Sequence, residues 1–171
     1  MLIMETNTVK ISKLVQFMND IGQWSRMNQN NAQSPLATCI NQVMPSVQVA
    51  LKPLNEEADK YNKILSKLKA DHADTVTITE NSQSPEHTIT AYNYKGEQLA
   101  ERNRAIQAEW DVFTEKRKAI EEQEVEIEVS YVKAVPPVSI LPPNFITSMR
   151  GIVIDPAYDS NIKIIRPIAR A

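Results

Sequence analysis

Two histidines, one cysteine and a run of glutamates are the side chains in this sequence whose types could carry reaction chemistry. His72 stands in Asp71-His72-Ala73-Asp74, where a neighbouring carboxylate can tune an imidazole as a base. A base also needs a nucleophile or a second acid in the same pocket, which adjacency in sequence does not supply. A histidine at the C-terminal end of a helix is favoured by the helix dipole, and that reading is preferred. His87 follows Ser84-Pro85-Glu86 and reads as a turn residue. Cys39 lies beside Ile40 and Val43 with no basic residue within ten positions. An activated thiol needs electropositive surroundings, so Cys39 reads as a small buried hydrophobe.

Glu121, Glu122, Glu124, Glu126 and Glu128 could suggest a cation site. Hard cations want oxygens converging from a tight loop, whereas this alternation spreads the carboxylates along a strand face. Such a face protects a strand edge from unwanted pairing. Glycine-rich phosphate loops, metal boxes and a Ser–His–Asp order are missing from the sequence. The expectation is no catalytic residue, no cofactor and no metal ligand, with an enzyme using His72 as the least favoured hypothesis.

The bulk numbers agree with a chain that acts by contact. In 171 residues, 19 Lys+Arg face 21 Asp+Glu, a net charge of −2, and there are 3 Gly and 10 Pro. Near-neutral charge argues against a general nucleic-acid binder, which must neutralise phosphates. Arg102, Arg104, Lys116, Arg117 and Lys118 alternate with glutamates as a mixed helix face. No apolar run approaches the roughly 20 residues of a membrane span. Met1-Leu2-Ile3-Met4-Glu5 lacks the charged start of a signal peptide, so secretion by one is not expected.

The elements that would position these residues follow from periodicity. Ile11, Leu14, Val15, Met18 and Ile21 share one helix face, ended by Gly22 and then the polar run Asn28–Ser34. Ser34-Pro35 reads as an N-cap and first helical residue, opening a short helix from Leu36 to Met44 that Pro45 stops. Val47, Leu51, Leu54, Ala58, Tyr61, Leu65 and Leu68 then form a heptad seam, with Pro53 kinking its first turns. Thr75–Thr79 and Thr88–Tyr92 alternate around a polar loop and predict a β-hairpin. A second seam runs through Leu99, Asn103, Ile106, Trp110, Phe113, Arg117 and Ile120. Val125, Ile127, Val129 and Tyr131 alternate with glutamates as a strand. Asn144 would cap a short helix ended by Gly151, Ile152–Ile154 would form a last strand, and an extended arm would follow.

These elements predict an α+β fold, mainly α. It is an antiparallel two-helix coiled-coil hairpin with a β-hairpin insert at its tip, a small antiparallel sheet and extended termini. The segments would be an N-terminal helical stretch 1–45, a helical-hairpin domain 46–154 and a C-terminal arm 155–171. Trp110 and Phe113 lie on a seam and read as core. Trp24 and Met27, near the end of the first helix, are the preferred exposed anchor for a partner. Ile162, Ile164, Ile165 and Arg166 of the arm are the second set of partner-binding candidates.

The layout from Leu54–Leu68 through Thr75–Tyr92, Ala100–Glu124, Val125-Glu126-Ile127-Glu128-Val129 and Leu141-Pro142-Pro143-Asn144-Phe145-Ile146 resembles small uncharacterised proteins of tailed bacteriophages. The likeness covers residues 46–154. It is also similar to prefoldin-type subunits in its helix–hairpin–helix order, without their apolar arm tips. The resemblance implies no catalytic residues. It implies a non-catalytic structural or assembly protein acting through other protein chains in a homo- or hetero-oligomer, as a capsid, connector or tail component. The alternative is a small phage regulatory protein that binds and inhibits or redirects a host protein. The expected location is the virion or the host cytoplasm.

Overall fold

The structure is a computed structural model that describes residues 4–27, 34–81, 84–136 and 141–158. It is α+β and mainly helical, with four helices and two small antiparallel sheets among the described residues. The chain divides into two compact units, one from residues 1–51 with 123–171 and one from residues 52–122. The division falls inside a helix and just past another.

In the first unit, strand β1 (Glu5–Lys10) pairs antiparallel with β4 (Glu124–Val129), so that Glu5 faces Val129 and Lys10 faces Glu124. The alternation of β4 does what its sequence requires: Ile127 and Val129 are buried while the glutamates stay exposed. β1 has no such alternation. Of its inward positions, Val9 is buried and Asn7 is a half-buried amide whose Nδ2 donates to the carbonyl of Gly151 at 2.8 Å. A polar residue is stable there because its donor is satisfied.

Helix α1 (Ile11–Met27) runs on from β1 and packs against α4. Its buried residues are Ile11, Leu14, Phe17, Asp20 and Trp24. It passes through Gly22 without ending, because the buried stripe continues to Trp24. The next helix, α2 (Pro35–Asp71), begins as its sequence dictates, with the backbone N–H of Ala37 donating to Ser34 Oγ at 3.2 Å. It does not stop at Pro45. Leu36, Ile40, Val43, Val47 and Leu51 form one buried stripe across that proline, and both Pro45 and Pro53 sit on the exposed side. Burial of that stripe, at about 1.5–3 kcal/mol for each large apolar side chain, outweighs the lost backbone bond.

Polar side chains join the first half of α2 to β4. The N–H of Glu128 donates to Ser46 Oγ at 2.9 Å, and Ser130 Oγ donates to Gln42 Oε1 at 2.7 Å. Helix α4 (Pro143–Met149) starts two residues earlier than expected, since Pro143 fills its first turn and Pro142 is the N-cap. Asn144 is thus inside the helix and exposed, not its cap. Residues 152–154 are not a strand. The N–H groups of Ile152, Val153 and Ile154 all donate to the carbonyl of Met149, in a tight buried turn entered through Gly151 at φ +82°.

The second unit holds the rest of α2, the hairpin β2 (Thr75–Asn81) and β3 (Ser84–Asn93), and helix α3 (Gly96–Glu121). The hairpin register pairs Thr75 with Asn93 and Thr79 with Ile89. Its base is fixed to α2 by Tyr94, whose hydroxyl donates to the Lys69 carbonyl at 2.8 Å. Tyr61 of α2 stacks on Phe113 of α3 with ring centroids 4.7 Å apart, and Trp110 meets both rings at 5.7 Å.

Candidate functional site

Two surfaces stand out, one in each unit. In the second, the heptad positions that the sequence marks as a seam are only half covered. Leu54, Tyr61, Leu65 and Leu68 of α2 and Ile106, Phe113 and Ile120 of α3 are of intermediate exposure, and Leu99 and Trp110 are 40% and 44% exposed. Among the described residues, no side chain from Lys52 to Glu122 is buried. The hairpin adds Ile78 and Ile89, 65% and 67% exposed. The rings of Tyr61, Trp110 and Phe113 supply specific geometry without closing the surface over themselves.

In the first unit, an open groove of about 930 Å³ lies over the junction of β1, α1 and α4. Its charged lining is Lys10, Lys13 and Arg150 against Glu124, with Asn7, Asn144 and Thr147 among its polar groups. Burial, and then the like charge of Arg150, hold the Lys13 amine below the ordinary lysine value. Arg150 itself is oriented by its Nη1, which donates to the carbonyls of Pro156 and Tyr158. Nearby, burial and then the carboxylates of Glu5 and Asp155 raise the Tyr131 phenol above its ordinary value.

The residues singled out from sequence fall as follows. Trp24 is buried at 6% exposure, so it is a core residue of α1 and not an exposed anchor; its indole completes the helix face begun by Ile11. Met27, one turn on, is 66% exposed. Ile162, Ile164, Ile165 and Arg166 lie outside the described residues. His72 is partly covered at the end of α2, with Nδ1 3.9 Å from Glu101 Oε2. The side chain of His87 lies outside the described set. Cys39 is a buried free cysteine whose Sγ lies 3.7 Å from Ser130 Oγ. Among the described residues, no three His, Cys, Asp or Glu side chains converge as metal ligands. No helix among them is long and apolar enough to cross a membrane.

Sequence reasoning missed the groove altogether. Its two central cations, Lys13 and Arg150, are distant in the chain, and only the β1–β4 pairing and the contact of α1 with α4 bring them together. Asn7 gave the one available signal, as a polar residue where a strand face should be apolar. No protein-family model matches the chain, and no curated protein or solved structure matches it either.

Proposed function

We propose that the chain is a non-catalytic structural or assembly protein that acts through contacts with other protein chains. The observation that carries this reading is the second unit, where no described side chain is buried while Ile78, Ile89, Leu99 and Trp110 face outward. Two helices and a hairpin of this size gain little stability from a half-covered seam. Neighbouring chains that cover the seam would supply the missing apolar burial. On this reading α2 and α3 form the antiparallel coiled-coil arm, with the β-hairpin at its tip.

The particular role proposed is a component of a bacteriophage virion. It rests on the resemblance of the sequence layout to small phage proteins and on the exposed apolar side chains of the second unit. The test is light scattering coupled to size exclusion on the full chain, followed over concentration. An oligomer that dissociates on dilution and is weakened by Trp110→Lys agrees with the proposal. A monomer at all concentrations with protease-resistant helices in the second unit would refute it. Co-purification with intact particles would then separate the virion role from a soluble host-directed one.

A further inference from the structure

We propose that the groove of the first unit binds the phosphate group of a phosphomonoester, held between the Lys13 ammonium and the Arg150 guanidinium. The proposal is independent of the assembly reading. Lys13 comes from the first turn of α1 and Arg150 from the end of α4, so two helices in contact deliver like charges to one opening. Gly151 makes the approach close. A Cβ at that residue would stand 3.9 Å from Lys13 Nζ and 3.0 Å from Asn7 Nδ2.

Like charges in one site repel, and each is stabilised by an anion set between them. Among the described residues Lys13 has no ion pair and no hydrogen bond. The groove's one lining carboxylate, Glu124, stands opposite Lys10 in the strand register. Desolvation and the repulsion from Arg150 depress the Lys13 amine, as expected of a cation that lacks a counter-charge. Arg150 is held in place by two backbone carbonyls at Nη1 and lies 5.9 Å from the centre of the Tyr158 ring, and none of these groups carries a neutralising charge.

The charge balance selects the ligand class. A carboxylate neutralises one of the two cations. A phosphomonoester carries about −1.5 to −2 at pH 7 and offers three strong acceptor oxygens. Those oxygens match the Lys13 ammonium and the Arg150 guanidinium, a pair suited to charge-assisted binding. A volume of about 930 Å³ exceeds what a phosphate ion fills, and Val9 and Pro156 provide apolar lining for an organic remainder.

Titration calorimetry on the full chain with inorganic phosphate, phenyl phosphate and benzoate tests the proposal. Phenyl phosphate should bind saturably and more tightly than either of the others. Lys13→Gln should weaken it by roughly tenfold or more, the loss of one charge-assisted bond, while Lys13→Arg should retain most of the affinity. The Lys13 resonance of a methyl-labelled protein should move on addition of phenyl phosphate, while that of exposed Lys52 should not. Absence of saturable binding by either phosphate would overturn the proposal. So would equal affinity in folded Lys13→Gln, or a Lys13 resonance that stays still while phosphate binds.

Discussion

The side-chain amide of Asn7 donates to the carbonyl of Gly151 at 2.8 Å, joining β1 to the buried turn after α4. The same two residues exclude substitution at the glycine. Gly151 holds φ +82°, and a Cβ there would come within 3.0 Å of Asn7 Nδ2. Gly151→Ala should therefore cost about 1–2 kcal/mol from the left-handed backbone alone, and more from displacing Asn7. Asn7→Ala should cost about 0.5–1.5 kcal/mol for the lost hydrogen bond. The double variant should be less destabilised than the sum, because Asn7→Ala removes the atom that the new Cβ meets. Urea denaturation of the four proteins measures the coupling, and strict additivity would contradict the contact.

Lys13 gives the pH behaviour a sign. Its folded-state value is lowered by burial and by Arg150, with Lys10 and Glu124 the other charged groups on the same groove. Between that value and the ordinary lysine value of 10.5, the unfolded chain holds the extra proton. Stability must then rise with pH across this window, and the cost of the desolvated ammonium is present in full below it. Lys13→Met should stabilise the protein at neutral pH, with a gain that shrinks as pH approaches 10.5. The Lys60 amine is shifted upward by its hydrogen bond to Glu57. A titration of methyl-labelled lysines should see Lys13 lose its proton before Lys60, and the reverse order would dismiss this account.

Tyr61 and Phe113 are the clearest link between α2 and α3, stacked at an interplanar angle of 17°. A double-mutant cycle with Tyr61→Leu and Phe113→Leu should return a coupling of about 0.5–1.5 kcal/mol, the range for aromatic pairs beyond their buried area. The cycle belongs at low protein concentration, where association does not contribute. A coupling near zero would mean that the two rings are neighbours without mutual stabilisation.

The elements legible in the sequence were those whose apolar positions repeat with one period. α1, the hairpin β2–β3, α3 and β4 lie where the spacing of their valines, isoleucines and leucines puts them. β1 was illegible because an inward position is Asn7, satisfied by a carbonyl far away in sequence. Trp24 was misread because Gly22 looked like a stop. The helix face that buries Ile11 and Phe17 carries the chain past that glycine, so its indole belongs to the core. The seams of α2 and α3 were legible as spacing but not as burial. Spacing fixes which residues share a face, and what covers the face depends on other chains or on distant segments.

The same limit explains Pro45. A proline inside a helical pattern removes one backbone donor and clashes with the preceding turn, at about 3 kcal/mol or more, so local reasoning ends the helix there. α2 nevertheless continues from Pro35 to Asp71, with Val43 and Val47 fully buried on either side of the break. The ring of Pro45 faces solvent, where the helix can bend away from its own missing bond. Packing of the stripe therefore stabilises a helix that its own sequence opposes. Pro45→Ala should restore an N–H donor for the Asn41 carbonyl and relieve the clash. The expected gain is about 1–3 kcal/mol in urea midpoint analysis, with an unchanged m-value. Pro53→Ala, at an exposed position of the second unit, should behave likewise. A loss of stability in Pro45→Ala would show that the proline is a required bend, fitting α2 to β4 through Ser46 and Gln42.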